Sequence, residues 1–328
     1  MTLKRKTVFL FSGQGSQYYQ MGRDLYDSNP IFRASMDRMD QLVRERLGTS
    51  VVQAVYGPHG KADPFDDIRL THPAIFMVEF ALAQAAMALG IRPDLTLGVS
   101  LGTFAALAIG GRLSAEAALA RVLEQALAIE AHSPPGGMIA VLGEPDLYHR
   151  SPFLQARSVI AGINFSGHFV LSAPQHHLAE IRAFLARADV VHQSVTVRYP
   201  FHSPWMEPVR TKLSGYTEVG HRLDASLPVI CCATGGALQE LPEDYFWQVM
   251  RNEMSFQREI DRLEPSGPFN YVDLSPSGTL ATLLKYLLPK ASASSSIAIM
   301  TPFGQTSDAL AAAAEQCRAG EPQAMGWA

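Results

Sequence analysis

A five-residue segment near position 100 limits the possible folds of this chain more than any other part. It reads Gly98-Val99-Ser100-Leu101-Gly102 and lies between the apolar run Leu95–Val99, a predicted buried strand, and Leu101–Ile109, a predicted helix. A strand, a glycine-flanked turn and a helix are the setting of the G-x-S-x-G nucleophile elbow, which raises a serine above the edge of a sheet. Ser100 is therefore a candidate nucleophile, although an ordinary strand–turn–helix with a buried serine has the same pattern.

Strands and helices alternate along the rest of the chain, which predicts an α/β protein with a parallel sheet. One stretch departs from this rhythm, because residues 136–197 contain predicted elements in the ferredoxin-like order β-α-β-β-α-β. We therefore predict a large domain of residues 1–135 and 198–328, with a small domain of residues 136–197 inserted in it. The other strands of the large domain are predicted at Val8–Phe11, Pro228–Cys232, Asn270–Leu274 and Ser296–Met300.

The composition excludes several classes of function. The 27 Lys and Arg residues are outnumbered by 31 Asp and Glu residues, for a net charge of -4, so no basic stripe is available for nucleic acid. The three cysteines, Cys231, Cys232 and Cys317, fit neither a disulfide framework nor a metal site, and they indicate a reducing compartment. The apolar run near the N-terminus is too short for a signal peptide, so we expect a cytoplasmic protein without a membrane segment.

His202 is the strongest candidate for the base that a serine nucleophile needs. It lies in the segment Tyr199-Pro200-Phe201-His202-Ser203-Pro204, where two prolines hold the loop in a fixed irregular shape. From spacing alone, a solvated surface histidine remains an alternative. The glycine-rich segment Gly13-Gln14-Gly15 lacks the pattern of a phosphate loop, so its backbone N–H groups could instead stabilise an oxyanion.

Together these motifs resemble the acyltransferase family of fatty-acid and polyketide synthesis, which includes malonyl-CoA:acyl-carrier-protein transacylases and free-standing trans-acting acyltransferases. Four motifs carry the resemblance, in order: GQGSQ after the first strand, G-x-S-x-G near residue 100, the ferredoxin-like insert, and FHSPWM. They cover nearly the whole chain. The resemblance implies an α/β-hydrolase-like large domain, a small ferredoxin-like domain and a site in the cleft between them.

The resemblance also implies roles for individual residues. Ser100 would be the nucleophile and His202 its general base, and the N–H groups of Gln14 and Leu101 would form the oxyanion hole. No metal and no permanently bound cofactor are implied. The acyl group would arrive on CoA or on the phosphopantetheine arm of an acyl carrier protein.

In the family a main-chain carbonyl from a later loop orients the histidine in place of a triad aspartate. That loop corresponds here to residues 253–257, with Ser255 where relatives carry a longer polar residue. Carrier proteins are usually acidic, so Arg198 and Arg258 are candidates for the rim that meets the partner.

The chain departs from the malonyl-specific members at the acyl pocket. Their arginine, which pairs with the extender carboxylate, corresponds to Gln125, with Arg121 one helical turn away as the only rival. Glutamine is neutral and cannot form the two-pronged guanidinium–carboxylate pair. Val99 replaces the usual histidine beside the nucleophile, and His72 replaces the glutamine of a Thr-Gln-Pro motif. These changes predict a pocket for neutral acyl groups.

Two aromatic residues of the histidine loop, Tyr199 and Phe201, complete the predicted acyl pocket. In the family this chain resembles, some standalone members of polyketide pathways lack the arginine and act as hydrolases that clear stalled or unwanted acyl groups from carrier proteins. The resemblance therefore implies an editing acyl-carrier-protein thioesterase that acts through an acyl-serine. The alternatives are a transferase that moves an acetyl-type or malonyl group from CoA to a carrier protein, and a non-catalytic module that binds carrier proteins.

Overall fold

The computed structural model describes residues 5–213 and 227–319. Of the predicted large domain, residues 1–4, 214–226 and 320–328 therefore lie outside the described residues. The helices of the described part, α1 to α14 along the chain, are Arg23–Ser28, Pro30–Leu47, Val51–Val55, Ile68–Ala88, Gly102–Ile109, Ala115–His132, Asp146–His149, Pro152–Gln155, Gln175–Arg187, Glu207–Leu213, Tyr245–Arg251, Phe256–Leu263, Thr279–Leu287 and Thr306–Ala319. The strands, β1 to β10, are Lys6–Phe11, Leu95–Gly98, Gly136–Leu142, Val159–Phe165, His168–Pro174, Val191–Ser194, Val229–Cys231, Met254–Ser255, Phe269–Asp273 and Ser295–Ala298.

A parallel sheet forms the centre of the molecule, with the strand order β10-β9-β1-β2-β7 in the described residues. Helices pack on both of its faces, α4 and α5 on one and α12 and α13 on the other, so the central strand β1 is an almost continuous apolar run in which Val8 to Phe11 are fully buried. Phe11 is in register with Gly98. The loop after β1 and the serine turn after β2 therefore start side by side at the carboxyl edge of the sheet.

Helix α4 is the most deeply buried helix of this core. It begins at Ile68, because the side chain of Asp67 caps it by accepting a hydrogen bond from the Arg69 N–H. Pro73, a residue type that often starts a helix, lies inside α4. This helix is long and apolar enough to cross a membrane, but 83% of the apolar window is buried in the fold, as in a core helix.

A second sheet has the order β6-β3-β5-β4-β8 within the described part of the chain. Strands β3, β5, β4 and β6 pair antiparallel, in the arrangement that a ferredoxin-like β-α-β-β-α-β segment adopts. The first helix of that segment is two short helices, α7 and α8, because Pro152 starts a new turn that Ser151 caps. The short strand β8 joins this sheet from outside residues 136–197 and pairs parallel to β4. The domain limits at 136 and 197 stay a prediction.

Candidate active site

The turn that carries Ser100 has the strained geometry of an elbow. Ser100 has a φ of 53°, in the left-handed region that only a few per cent of residues other than glycine adopt. A side chain at Gly98 would overlap the backbone of Thr103, and one at Gly102 would overlap the carbonyl of Phe11. The two glycines therefore allow α5 to start directly against β1, with Ser100 held at the tip of the turn.

His202 lies beside this serine. Its Nε2 is 2.8 Å from the Ser100 Oγ, a short hydrogen bond between candidate base and candidate nucleophile. The His202 N–H donates to the Met250 carbonyl at 3.0 Å, and the residue has a φ of 57°. Burial lowers the pKa of His202 to about 4, because the imidazolium would lose its hydration. The ring is therefore a neutral imidazole at pH 7, as a general base must be.

The other ring nitrogen of His202 contacts a main-chain oxygen. Nδ1 lies 2.8 Å from the carbonyl of Asn252, which accepts a hydrogen bond from Nδ1–H and so favours the tautomer in which Nε2 is free to act as the base. The prediction that placed this contact at Ser255 and residues 253–257 is therefore wrong in position. The Ser255 N–H donates to the Cys232 carbonyl and its hydroxyl caps α12, so both groups are used in starting β8 and α12.

The loop after β1 packs against the elbow. A side chain at Gly13 would meet the Ser100 Cβ at 2.9 Å, so only glycine lets the loop approach the nucleophile this closely. Gln14 and Leu101 both line the cavity around Ser100. No described residue accepts a hydrogen bond from either of their N–H groups. The two amides are thus available at the place where the resemblance puts an oxyanion hole.

The cavity above Ser100 has a volume of about 330 Å³ and lies between the two sheets. One wall comes from residues 12–16 and 99–101 at the edge of the parallel sheet, and the other from residues 193–197, Met138 and Val170 of the second sheet. Among the described residues that line it there is no Lys, Arg, Asp or Glu. The surface around the serine is therefore neutral.

Gln125 and Arg121 occupy different positions on α6. The Gln125 side chain is 5% exposed and lines this cavity, and its Oε1 has no hydrogen-bond partner among the described residues. Arg121 lines a second cavity of about 180 Å³, which Gln125 also lines, and there it pairs with Glu124 at 3.5 Å and lies over the ring of Phe246. The guanidinium that could rival Gln125 is thus not among the groups around Ser100.

Three of the other predicted pocket residues, His72, Val99 and Phe201, line the cavity. The His72 ring is 5.9 Å from that of Phe201, and burial lowers the pKa of His72 to about 3. Tyr199 is not among the residues lining the cavity, so its assignment to the acyl pocket is wrong. The Phe201 N–H donates to the Tyr199 carbonyl in a tight turn, and the two rings meet edge-on with centroids 6.1 Å apart.

The two arginines considered for the carrier-protein rim already have acidic neighbours. Arg198 forms a two-pronged pair with Asp66, at 2.7 and 2.9 Å. Arg258 pairs with the buried Glu259 at 2.9 Å and donates to the Cys232 carbonyl. Their contact with a partner stays a prediction.

Sequence reasoning missed two residues near the site. Asn252 acts through its carbonyl, which leaves no side-chain signal to find. Glu79 is a fully buried carboxyl group of α4 that accepts hydrogen bonds from Ser12, directly before the glycine-rich loop. The sequence does contain a signal for Glu79, because it is the one charged residue in the apolar run of residues 73–89, and a buried charged residue needs a partner.

Comparison with known proteins decides the family. The acyl transferase domain family matches residues 8–318. The chain belongs to this acyltransferase family. It is 40% identical over 299 residues to the polyketide biosynthesis acyltransferase homolog PksD of Bacillus subtilis (strain 168), a match that covers 91% of this chain and 92% of the relative. Its identity to the homolog BaeD of Bacillus velezensis is also 40%, over 302 residues, 92% of this chain and 93% of that one.

A solved structure supports the same assignment for the acyltransferase domain. The loading acyltransferase from the avermectin modular polyketide synthase superposes with a TM-score of 0.85 at 26% identity, over 95% of this chain and 99% of that one. The family resemblance and the α/β fold class with a parallel sheet are thereby confirmed. Membership implies an acyl carrier protein as partner. Within the described residues, no group of three or more His, Cys, Asp or Glu side chains could hold a metal ion.

Proposed function

We propose that this acyltransferase-family protein is an acyl-[acyl-carrier-protein] hydrolase of polyketide biosynthesis, an editing thioesterase that removes neutral, non-malonyl acyl groups. The observation that carries the proposal is the neutral lining of the cavity around Ser100, which includes Gln125, the residue that the resemblance aligns with the arginine of malonyl-specific members. A buried carboxylate without a partner costs about 3–5 kcal/mol. We therefore expect malonyl groups to react about 10² to 10³ times more slowly than neutral groups of similar size.

Acylation begins with attack of the Ser100 Oγ on the thioester carbonyl carbon. His202 Nε2 takes the hydroxyl proton across the 2.8 Å contact, and the Asn252 carbonyl stabilises the resulting imidazolium through Nδ1–H. The N–H groups of Gln14 and Leu101 would stabilise the oxyanion of the tetrahedral intermediate. Its collapse breaks the carbon–sulfur bond, and the pantetheine sulfur leaves with the proton from His202.

Deacylation repeats these steps with a different nucleophile. Water gives a proton to His202 and attacks the acyl-serine carbonyl, and collapse of the second intermediate returns the proton to Ser100 and releases the free acid. If a carrier-protein thiol attacks in place of water, the same residues perform acyl transfer. The hydrolytic outcome is supported by the resemblance to standalone members that lack the arginine.

The test uses carrier proteins loaded with acetyl or malonyl groups, with and without an unloaded acceptor carrier protein. We expect free acetate from acetyl-carrier protein without acceptor, little malonate, and no product with Ser100→Ala. Acetyl transfer that requires the acceptor would replace the hydrolase by a transferase, and fast malonyl loading would contradict both. Absence of both thiol release and acyl-Ser100, the latter measured by mass spectrometry of the intact wild-type protein, would favour a non-catalytic binding module.

A further inference from the structure

Three of the seven large exposed apolar side chains in the described residues lie at one end of the second sheet or against it. Leu142, the last residue of β3, is 52% exposed, and Val191, the first residue of β6, is 66% exposed. Tyr286, near the end of α13, is 67% exposed. A single exposed apolar side chain is ordinary, but a contiguous patch of them marks a surface that binds another molecule.

The strand registers place these side chains in one row. Val191 of β6 is opposite Leu142 of β3, and Leu142 is opposite His168 of β5. His168 is in turn opposite Phe165 of β4, and residues directly opposite each other project from the same face of a sheet with Cβ atoms about 5 Å apart. The Phe165 ring then stacks on the Tyr286 ring, with centroids 4.8 Å apart. These five residues form an apolar row from β6 to α13.

The apolar row continues the wall of the cavity around the candidate nucleophile. Ala140 lines that cavity and lies two residues before Leu142, so the two side chains project from the same face of β3. Gln193 also lines the cavity and has the same relation to Val191 in β6. His168 belongs to both the lining and the row, and burial lowers the pKa of His168, so the row is uncharged at pH 7.

The cavity opens to solvent between the two elements at the ends of the row. Among the described residues that line it, Gln193 and Ser194 of β6 and Thr279, the first residue of α13, are exposed. The pocket residues Gln125 and His72 are buried. A substrate therefore enters beside β6 and α13, next to the exposed apolar row.

We propose that the apolar row is the surface on which an acyl carrier protein docks while its phosphopantetheine arm reaches into the cavity. This rests on the proposed function, since the partner is the protein whose acyl group Ser100 would remove. A carrier protein has to present its thioester at the entrance, so its own surface must lie beside that entrance, where the row is exposed. Two exposed lysines, Lys285 and Lys290, lie within four residues of Tyr286 and match the acidic character that carrier proteins usually have.

The experiment compares two acetyl thioesters that react at the same serine: acetyl-loaded acyl carrier protein, and S-acetyl-N-acetylcysteamine, which has the thioester end of the arm without a protein. Release of the thiol is recorded, because this step is common to hydrolysis and transfer. In the double variant Leu142→Ser/Val191→Ser, and separately in Tyr286→Ala, we expect kcat/KM for the carrier protein to fall about 5- to 30-fold, as when an interface loses an important apolar contact. Both variants should keep kcat/KM for the small thioester within about twofold of the wild type, since these side chains do not line the cavity.

A matched control removes exposed apolar side chains from elsewhere on the surface. Ile31 in α2 is 44% exposed and Leu89 at the end of α4 is 45% exposed, and neither belongs to the row. Ile31→Ser/Leu89→Ser should leave kcat/KM unchanged for both thioesters. Circular dichroism and thermal unfolding of each variant confirm that the protein stays folded.

An unchanged rate with the carrier protein in both row variants would overturn this inference and leave the hydrolase intact. Equal losses with the two thioesters would also overturn it, because the row would then shape the cavity and not a docking surface. Light scattering tests a second copy of this chain as the occupant: a wild-type dimer that Leu142→Ser/Val191→Ser converts to a monomer would overturn carrier docking.

Failure of the proposed function looks different from failure of this inference. If acetyl groups are transferred to an acceptor and not to water, the hydrolase is wrong, but the loss specific to the carrier protein still supports the row. If neither thioester releases thiol, calorimetric binding of the loaded carrier protein to Ser100→Ala, with and without Leu142→Ser/Val191→Ser, decides the question. Equal affinities would then overturn the docking surface.

Discussion

Glu79 accepts two hydrogen bonds from Ser12, one from the backbone N–H at 2.7 Å and one from the hydroxyl at 3.0 Å. Ser12 is the first residue after β1 and precedes Gly13, which packs against Ser100. The carboxyl group is fully buried in α4, and burial raises its pKa well above the ordinary value. A core helix thus fixes the start of the loop that packs against the nucleophile.

This contact predicts different effects for two substitutions of Glu79. Glu79→Leu leaves the Ser12 N–H buried without a partner, so we expect a loss of about 1–3 kcal/mol in the free energy of unfolding. Glu79→Gln keeps the acceptor oxygen and resembles the protonated acid, so it should cost less. Urea denaturation measures both values. Equal losses for the two variants would show that the hydrogen bonds to Ser12 are not what Glu79 provides.

The burial of His202 predicts an unusual pH dependence. Its pKa is lowered to about 4 from an ordinary 6.5, so the base form persists in the folded enzyme as the pH falls through 6 and 5. The acid limb of kcat/KM should therefore lie near pH 4. Between about pH 6.5 and 4 the unfolded chain binds a proton at His202 and the folded chain does not. The contribution of His202 to the free energy of unfolding therefore decreases as the pH falls through this range.

Initial rates with a neutral thioester from pH 3.5 to 8 test this prediction, with circular dichroism at each pH to confirm that the protein stays folded. An acid limb near pH 6.5 with the fold intact would mean that His202 is more hydrated than its contacts indicate.

The elbow predicts a strict requirement for glycine at position 102. In Gly102→Ala the new methyl group would overlap the Phe11 carbonyl, which is backbone and cannot rotate away. We expect a loss of at least about 1–3 kcal/mol in stability, and lower activity as Ser100 moves. Gly143→Ala is the matched control, because its methyl group would meet only Val190 and Val141 at 3.8 and 3.9 Å. Equal unfolding midpoints for the two variants would contradict the packing argument.

Local chemistry explains which parts of this structure the sequence predicts. The apolar runs of β1 and β2, and glycine at residues 98 and 102, are dictated by burial and by the tight turn, so these elements are close to their predicted positions. The element order of residues 136–197 is likewise visible in the pattern. The two-residue strand β8 is not visible in the sequence pattern, because it forms only through pairing with β4, which is distant in the chain.

The same distinction holds within the candidate site. Ser100 and His202 stand in recognisable segments and meet at 2.8 Å. The sequence does not show that Tyr199 lies outside the cavity lining, because a turn of the backbone, not residue type, decides which aromatic ring faces the cavity. The carbonyl that orients His202 belongs to Asn252 and not to residues 253–257, and because every residue has a carbonyl the sequence locates this contact only to within a few residues.

The contact between His202 and a main-chain carbonyl predicts that the side chain of Asn252 is dispensable. Asn252→Ala keeps the carbonyl, so we expect kcat/KM to change by no more than about threefold, in the range of ordinary surface substitutions. Ser255→Ala should instead lower stability by about 1 kcal/mol, because it removes the cap of α12, without moving the acid limb of the pH profile. A large loss of activity in Asn252→Ala would assign a role to its amide.

The uncharged lining of the cavity, which includes Gln125, predicts that one substitution can change which acyl group is preferred. Gln125→Arg would place a guanidinium in a cavity whose described lining has no Lys, Arg, Asp or Glu, where it can pair with a malonyl carboxylate. The ratio of malonyl to acetyl thiol release should rise about 10²-fold, since a buried carboxylate gains the partner whose absence costs about 3–5 kcal/mol. Gln41→Arg on the surface adds the same charge outside the cavity and should leave the ratio unchanged. A folded Gln125→Arg protein with the wild-type ratio would mean that residue 125 does not contact the acyl group, and the neutral-substrate proposal would lose its main support.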